Sequence, residues 1–509
     1  MSRRSRRSKH HGVADTSHQR KVNYRNLKNP LLRQPAFSDD RLEAIHDTAL
    51  RVIEELGIKV LNAEARQCFK QAGASVDEEL LIVKIDRALV ASALESAPSE
   101  FVIHGRTAEH DVALGGDNIN FVSVGGAPHI SDLDHGKRPA TLEDTRNIIK
   151  LSEHFDVIHL QSPNVESQDI PVHLRHYQVT ESQLNLSQKP FFIYSRGSTQ
   201  VEDAFAMTRI AYGLNQQEFA SRPCCYTVIN TNSPRQLDVP MCQGIIDFAR
   251  AGQVAVITPF TLAGAMAPVT MPGALVLQHA EALAGIVLSQ IVRAGAPVIY
   301  GSFTSNVDMK SGSPAFGTPE FVKAAFGAGQ LARHIQIPWR GSAATASNTP
   351  DEQSVYEFLM SAWGSVLGGV NMMVHAAGWL EGGLTGSMEK FILDIEMLQT
   401  FAEIFDPLNC DDAELAFEAI ASVEPGSHFF GCDHTMERYQ TAFYEPLVSD
   451  WSNFGQWADN GSKTATQRAN GIWKKILQEF EAPVMDVARR EELMAFIERR
   501  SAEGGAPVD

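Results

Sequence analysis

Two polar side chains at the ends of apolar runs make the sharpest chemical suggestion in this sequence. His375 closes the run Asn371–His375 and precedes AAGWLEGGLTGS. Arg340 follows the run Ile335–Trp339 and opens the loop GSAATASNTPDEQ. A histidine at that place can orient a substrate or hold a proton, and it can equally serve as a satisfied structural group. A guanidinium there can clamp a carboxylate, or it can anchor its own loop through Asp351 or Glu352. Aromatic residues gather in the same part of the chain: Phe260, Tyr300, Phe303, Trp339, Tyr356, Trp363 and Trp379. Rings around a cavity hold a quaternary ammonium through their electron-rich faces, with Glu357, Glu381 and Glu389 as carboxylate candidates beside them. The competing reading is that these rings fill the core.

Other chemistries find less support. His173 with His176, His129 with Asp132, and Cys432 with Asp433 and His434 are short metal-ligand spacings. No HExxH or identifiable third ligand accompanies them, so no metal site is expected. No GxSxG elbow marks a serine nucleophile. The strand ends carry Tyr194, Ile229, Phe260, Phe303, Trp339 and His375 rather than a Schiff-base lysine, and Lys189 stands at a strand start.

Positioning these groups requires strands that end on one face. Apolar runs centre on Val157–Leu160, Pro190–Tyr194, Cys224–Ile229, Val254–Thr258, Pro297–Phe303, Ile335–Trp339 and Asn371–His375, roughly 30 to 45 residues apart with a helical pattern in each gap. Buried parallel strands alternating with helices are expected from that period. The expected fold is α/β: a TIM (β/α)8-type barrel with an N-terminal α+β extension and a helical C-terminal segment. The eighth strand is expected from Ile119–Val124 or from near His428–Phe430. Thr261–Gly301 supplies one loop–helix–strand unit, its loop lying at the barrel face where chemistry occurs. The expected organisation is a disordered basic tail over 1–38, an α+β cap over 39–140, the barrel and its C-terminal helices over 141–480, and a last helix and tail over 481–509. MSRRSRRSKHHG reads either as a disordered solubilising tail or as a docking segment for an acidic partner or anionic surface.

Composition sets the outer limits. The chain has 509 residues, 44% hydrophobic and 21% charged, with a formal net charge of −17. Nucleic acid is not expected as a partner, because phosphate binding needs a basic face. No membrane span is expected: the best candidate, Ala274–Ile291, is interrupted by Gln278, His279, Glu281, Ser289 and Gln290. Six scattered cysteines without a CxxC pair, and no secretory signal, point to free thiols in the cytoplasm. The acidic barrel and long C-terminal helices are compatible with a homo-oligomer.

Longer motifs carry a family resemblance. TLAGAMAPVTMPGALVLQHAEALAG followed by GAPVIYGSF resembles the central signature of the trimethylamine/quaternary-amine:corrinoid methyltransferase family. GGAPHISDLDHGKRPATLEDTRN, VHAAGWLEGGLTGSMEKFILDIEML and HFFGCDHT resemble its other signatures, in order, over about residues 24 to 480. The resemblance implies a TIM barrel that moves a methyl group from a methylamine nitrogen to the Co(I) atom of a corrinoid. That corrinoid (cobalamin) belongs to a separate corrinoid protein, and no cofactor is held tightly by this chain. Orientation and an open cavity then matter more than acid–base help.

Trimethylamine-specific members carry pyrrolysine in a loop that falls within about Gly341–Pro350, and here that loop reads GSAATASNTP. The resemblance therefore implies a quaternary donor of the glycine betaine type, with carnitine, choline and proline betaine also open. On this reading His375 and Glu381 are the candidate catalytic contacts. Arg340 meets a betaine carboxylate, while Phe260, Phe303 and Tyr356 contact the cation. A metal-dependent barrel lyase or hydrolase, and a non-catalytic homologue binding betaine or a corrinoid protein, are the alternatives.

Overall fold

A computed structural model describes residues 23–507. The described residues form two compact units, residues 24–405 with 448–507 and residue 23 with 406–447. The smaller unit holds the short helices Asp412–Leu415, Phe417–Ser422 and Asp433–Arg438 and exposes Phe417, Phe430 and Phe443.

The larger unit is organised by a seven-stranded sheet in which every pairing is parallel. Its order is Phe191–Phe192, Cys225–Ile229, Val254–Ile257, Val298–Gly301, Trp339–Ser342, Met372–Val374 and Asn120–Phe121. Both outer strands bond to one further segment. His159 N donates to Phe121 O at 2.9 Å, Gln161 N donates to Pro190 O at 2.8 Å, and Val122 bridges Leu160 in parallel. Residues 159–161 thus lie between the first and last strands. His159 fastens this seam with its side chain. Its Nδ1 accepts from Phe121 N at 2.9 Å and its Nε2 donates to Tyr24 O at 2.8 Å. Full burial pushes its pKa down to about 4, so the ring stays neutral as that pattern requires.

Period-2 alternation decides which strand residues share the inner face. Phe192, Tyr226, Val254, Val256, Ile299, Met372 and Val374 pack with Val122 and Leu160 in one buried cluster. Their neighbours turn to the covering helices. Tyr300 bonds His279 of the helix Met271–Val292 at 2.9 Å. Trp339 lies so close to Gly368 that a Cβ there would approach its ring to 2.8 Å. Met271–Val292 is long and apolar enough to cross a membrane, but 83% of its most apolar window is buried within the protein. It is buried because the sheet lies under it and the helices Asp39–Arg51 and Arg87–Ser96 over it.

Three features differ from the expected boundaries. Ile119–Val124 does supply a strand, so the N-terminal extension completes the main sheet rather than only covering it; His428–Phe430 forms none. Part of the segment assigned to a tail is tied to the body: Asn29 Nδ2 donates to Val366 O at 2.7 Å, and the amides of Ala36 and Phe37 donate to Gln330 Oε1 at 2.6 and 2.9 Å. Residues 1–22 of that tail lie outside the described residues. Residues 406–447, assigned to the barrel's C-terminal helices, form the separate unit.

Candidate functional site

The C-terminal ends of neighbouring strands bring Arg340, Ser342 and His375 into one row, because Arg340 pairs with Met372 and Ser342 with Val374. Trp339 faces the helices, so Arg340 faces inward. It is 2% exposed, and Nη1 donates to Ser302 O at 3.0 Å. Its guanidinium carbon stands 5.3 Å from the Phe303 ring centroid. Its Nε is buried without a hydrogen-bond partner, and no carboxylate among the described residues acts on its charge. Burial pushes its pKa down to about 9, which leaves it cationic at neutral pH. An ion of this kind costs several kcal/mol to desolvate without a counter-ion.

His375 follows the strand with φ +61, the left-handed region that costs a non-glycine residue about 1–3 kcal/mol. The bend turns its ring onto Trp379, with centroids 3.7 Å apart. Nδ1 and Ser342 Oγ share a hydrogen bond of 2.7 Å. Burial, reinforced by repulsion from Arg340, holds its pKa well below the usual histidine value. The ring is therefore neutral and adds no positive charge.

Phe303 is the hub of the apolar part. It stacks on Phe316 at 5.2 Å and 8°, and meets Phe260 at 5.1 Å, His375 at 5.2 Å and Trp379 at 6.3 Å. Phe260–Ala263 and Phe303–Val307 run parallel just beyond the main sheet, with Phe260 opposite Phe303, and hold these rings in register. Phe316 follows the antiparallel partner Pro314–Ala315.

The structure therefore joins Phe260, Phe303, Arg340 and His375, and leaves the other two expected contacts apart from them. Tyr356 stands on the outer helix Glu352–Gly368, 57% exposed. The Glu381 carboxylate is engaged by Lys137 at 2.5 Å and Thr385 at 2.6 Å, while its amide donates to Ser347 O. Glu381 thus braces a turn whose Gly382 lies against Phe316.

Glu357 and Glu389 are committed as well. Glu357 accepts from the amides of Ala346 and Ser347 at 2.8 and 2.9 Å, and Glu389 from Trp473 Nε1 at 2.9 Å. Of the remaining aromatics, Tyr300 and Trp339 face the helices and Trp363 packs on Phe401. Alternation along the strands could have excluded Tyr300 and Trp339. Phe316 and Ser342 were missed. Ser342 was legible as the residue two beyond Arg340 on the same face, whereas nothing in the sequence singled out Phe316.

Among the described residues one group of three side chains is spaced to hold a metal ion: Asp132, Asp134 and His135. Asp134 there is paired with Lys474 at 2.6 Å. Cys224, Cys225 and Cys242 are buried, and burial raises each thiol pKa, so they are poor nucleophiles.

Comparison with known proteins places this geometry in context. The family model described as trimethylamine methyltransferase (MTTB) matches residues 2–505. A glycine betaine methyltransferase from Desulfitobacterium hafniense is 36% identical over 471 residues, 92% of this chain and 98% of the relative. A trimethylamine methyltransferase MttB from another strain of that species is 31% identical, covering 92% and 94%. The crystal structure of the Methanosarcina barkeri monomethylamine methyltransferase (MtmB) aligns with a TM-score of 0.45 at 12% identity, over 90% of this chain and 97% of that one.

Proposed function

The chain belongs to the trimethylamine methyltransferase family, and on that premise we propose that it demethylates a quaternary amine bearing a carboxylate, a substrate of the betaine type. The observation that carries this reading is the buried Arg340 guanidinium, which lacks a carboxylate of its own and borders an aromatic cluster. A bare cation such as choline or trimethylammonium would meet a fixed positive charge there. A zwitterion instead gives its carboxylate to Arg340 and its ammonium to the faces of Phe303, Phe260 and Trp379. The relative named as a glycine betaine methyltransferase supports the same class.

With the carboxylate held within the sheet, the N–CH3 bonds point toward the loops beyond the strand ends. Methyl transfer breaks one N–CH3 bond, and its electron pair stays on nitrogen as a neutral tertiary amine. No proton need move, which fits a site whose histidine is neutral and tied to Ser342. His375 serves as an uncharged wall that orients the trimethylammonium head. On the family reading the nucleophile that accepts the methyl group comes from outside the chain. The Co(I) corrinoid of a separate corrinoid protein supplies that nucleophile when it docks. We read the seven strands with residues 159–161 as a closed (β/α)8 barrel that presents this mouth.

The test is demethylation of glycine betaine, choline and trimethylamine with a Co(I) corrinoid acceptor, followed by loss of Co(I) absorbance. Turnover of glycine betaine alone is expected. Turnover of trimethylamine or choline at an equal or greater rate would overturn the reading.

A further inference from the structure

We propose that Thr258 is the second ligand of the substrate carboxylate and, with Arg340, sets the preference for carboxylated donors; this rests on the betaine reading above. Register places the two residues on either side of one glycine. Ile257 pairs with Tyr300 and Gly301 pairs with Arg340, so Thr258 and Arg340 flank Gly301 in adjacent strands. Ile299 belongs to the inner-face cluster and Tyr300 faces the helices, so position 301 faces inward again. A Cβ at Gly301 would overlap the Thr258 hydroxyl oxygen, which shows that this hydroxyl occupies the space where the missing side chain would be.

Each group has a buried polar atom without a partner. Thr258 is fully buried and its Oγ1 has no hydrogen bond; Arg340 is 2% exposed and its Nε has none. A buried hydroxyl without a partner is a costly exception in a folded protein. One carboxylate between them satisfies both: the threonine hydroxyl donates to one oxygen and the guanidinium to the other. Gly301 leaves room for the Thr258 hydroxyl beside Arg340, and a side chain there would displace it. A ligand without a carboxylate leaves both donors unpaired, which is how a site rejects an analogue lacking one group.

Isothermal titration with glycine betaine and with tetramethylammonium, which lacks the carboxylate, tests this without any corrinoid protein. Wild type should bind glycine betaine more tightly. Thr258→Val should weaken glycine betaine by about tenfold and leave tetramethylammonium unchanged, and Thr258→Ser should restore glycine betaine binding. Thr258→Val that binds glycine betaine as wild type does, or weakens both ligands equally, overturns the role of Thr258 while the betaine reading stands. A wild type that binds tetramethylammonium as tightly as glycine betaine overturns the betaine reading, and this proposal with it. Thermal melting of each variant checks that the fold is kept.

Discussion

Two arginines at strand ends of the same sheet both stack on a ring, but they differ in burial and in whether an acid meets them. Arg196, four residues beyond the strand Phe191–Phe192, lies 4.2 Å from the Tyr194 ring centroid, and Arg340 lies 5.3 Å from that of Phe303. Arg196 reaches Glu166 at 2.5 Å, and Arg175 shares the same carboxylate at 2.9 Å. Glu166 then has a pKa below the usual carboxylate range: burial opposes ionisation, but the paired cations outweigh it. Arg340 has an aromatic face and no acid. Stacking on a ring is therefore an ordinary way to place an arginine, and the absent counter-ion is what marks a site. The comparison also separates stability from binding, since one arginine is satisfied by the fold and the other is left for a ligand.

The largest effect should come from Arg340→Met, which removes the buried charge and keeps the bulk. Loss of a charge-assisted hydrogen bond corresponds to about 1.5–3 kcal/mol, so kcat/KM for glycine betaine should fall roughly ten- to a hundredfold. Melting temperature should hold or rise, because an uncompensated buried ion is gone. A fall in melting temperature with unchanged kinetics would make Arg340 a structural residue like Arg196.

Next, Thr258→Asp should convert Arg340 into a second Arg196. An internal carboxylate across Gly301 would compete with the substrate's own, so glycine betaine affinity should drop at least tenfold while the protein stays folded; titration and melting read the two effects. The reverse experiment is Glu166→Gln. It strips the shared acid from Arg175 and Arg196 and should cost about 1–2 kcal/mol of stability, discounted because Arg196 is about a third exposed, with glycine betaine affinity unchanged.

Acid should act on the seam between the first and last strands. His159 titrates near 6.5 when unfolded and near 4 when folded, so the unfolded chain binds more protons between those values. Its stabilisation is complete above about pH 6.5 and declines as pH falls toward 4. At pH 5 the loss from this group is about 2 kcal/mol. Thermal melts from pH 7.5 to 5 should show the decline, and His159→Gln should flatten it.

Much of this was legible in the sequence, because buried parallel strands announce themselves as apolar runs. The seven runs all fall on the sheet or its seam, and Ile119–Val124 does supply a further strand. Arg340 and His375 were legible for the same reason, as the polar residues that end such runs. The carboxylates misled. Glu357, Glu381 and Glu389 lie close in sequence to the aromatics, yet each is spent on loop amides, a lysine or the indole Nε1 of a C-terminal helix. Proximity along the chain reveals which loop a carboxylate serves only after the loop is folded. Thr258 escaped because a threonine at a strand end is unremarkable until Gly301 and Arg340 are placed beside it.

The smallest effect separates ring type from ring placement. Tyr356 has the composition of a cation-binding residue and stands in the segment where such residues gather. It begins the second turn of the helix Glu352–Gly368, whose inward face is taken by Glu357, Phe358 and Ser361, and the phase of the helix turns Tyr356 outward to 57% exposure. A ring in that setting gives a ligand among the strand ends neither a face nor exclusion of water. Tyr356→Ala should therefore change glycine betaine affinity by less than about twofold and stability by less than about 0.5 kcal/mol. Phe303→Ala, which removes the ring joining Phe260, Phe316, His375 and Trp379, should weaken both glycine betaine and tetramethylammonium by tenfold or more, since a cation–π contact in a desolvated site contributes about 2 kcal/mol. A larger loss in Tyr356→Ala than in Phe303→Ala would mean that the cation rests over the outer helix and that the cluster around Phe303 is core.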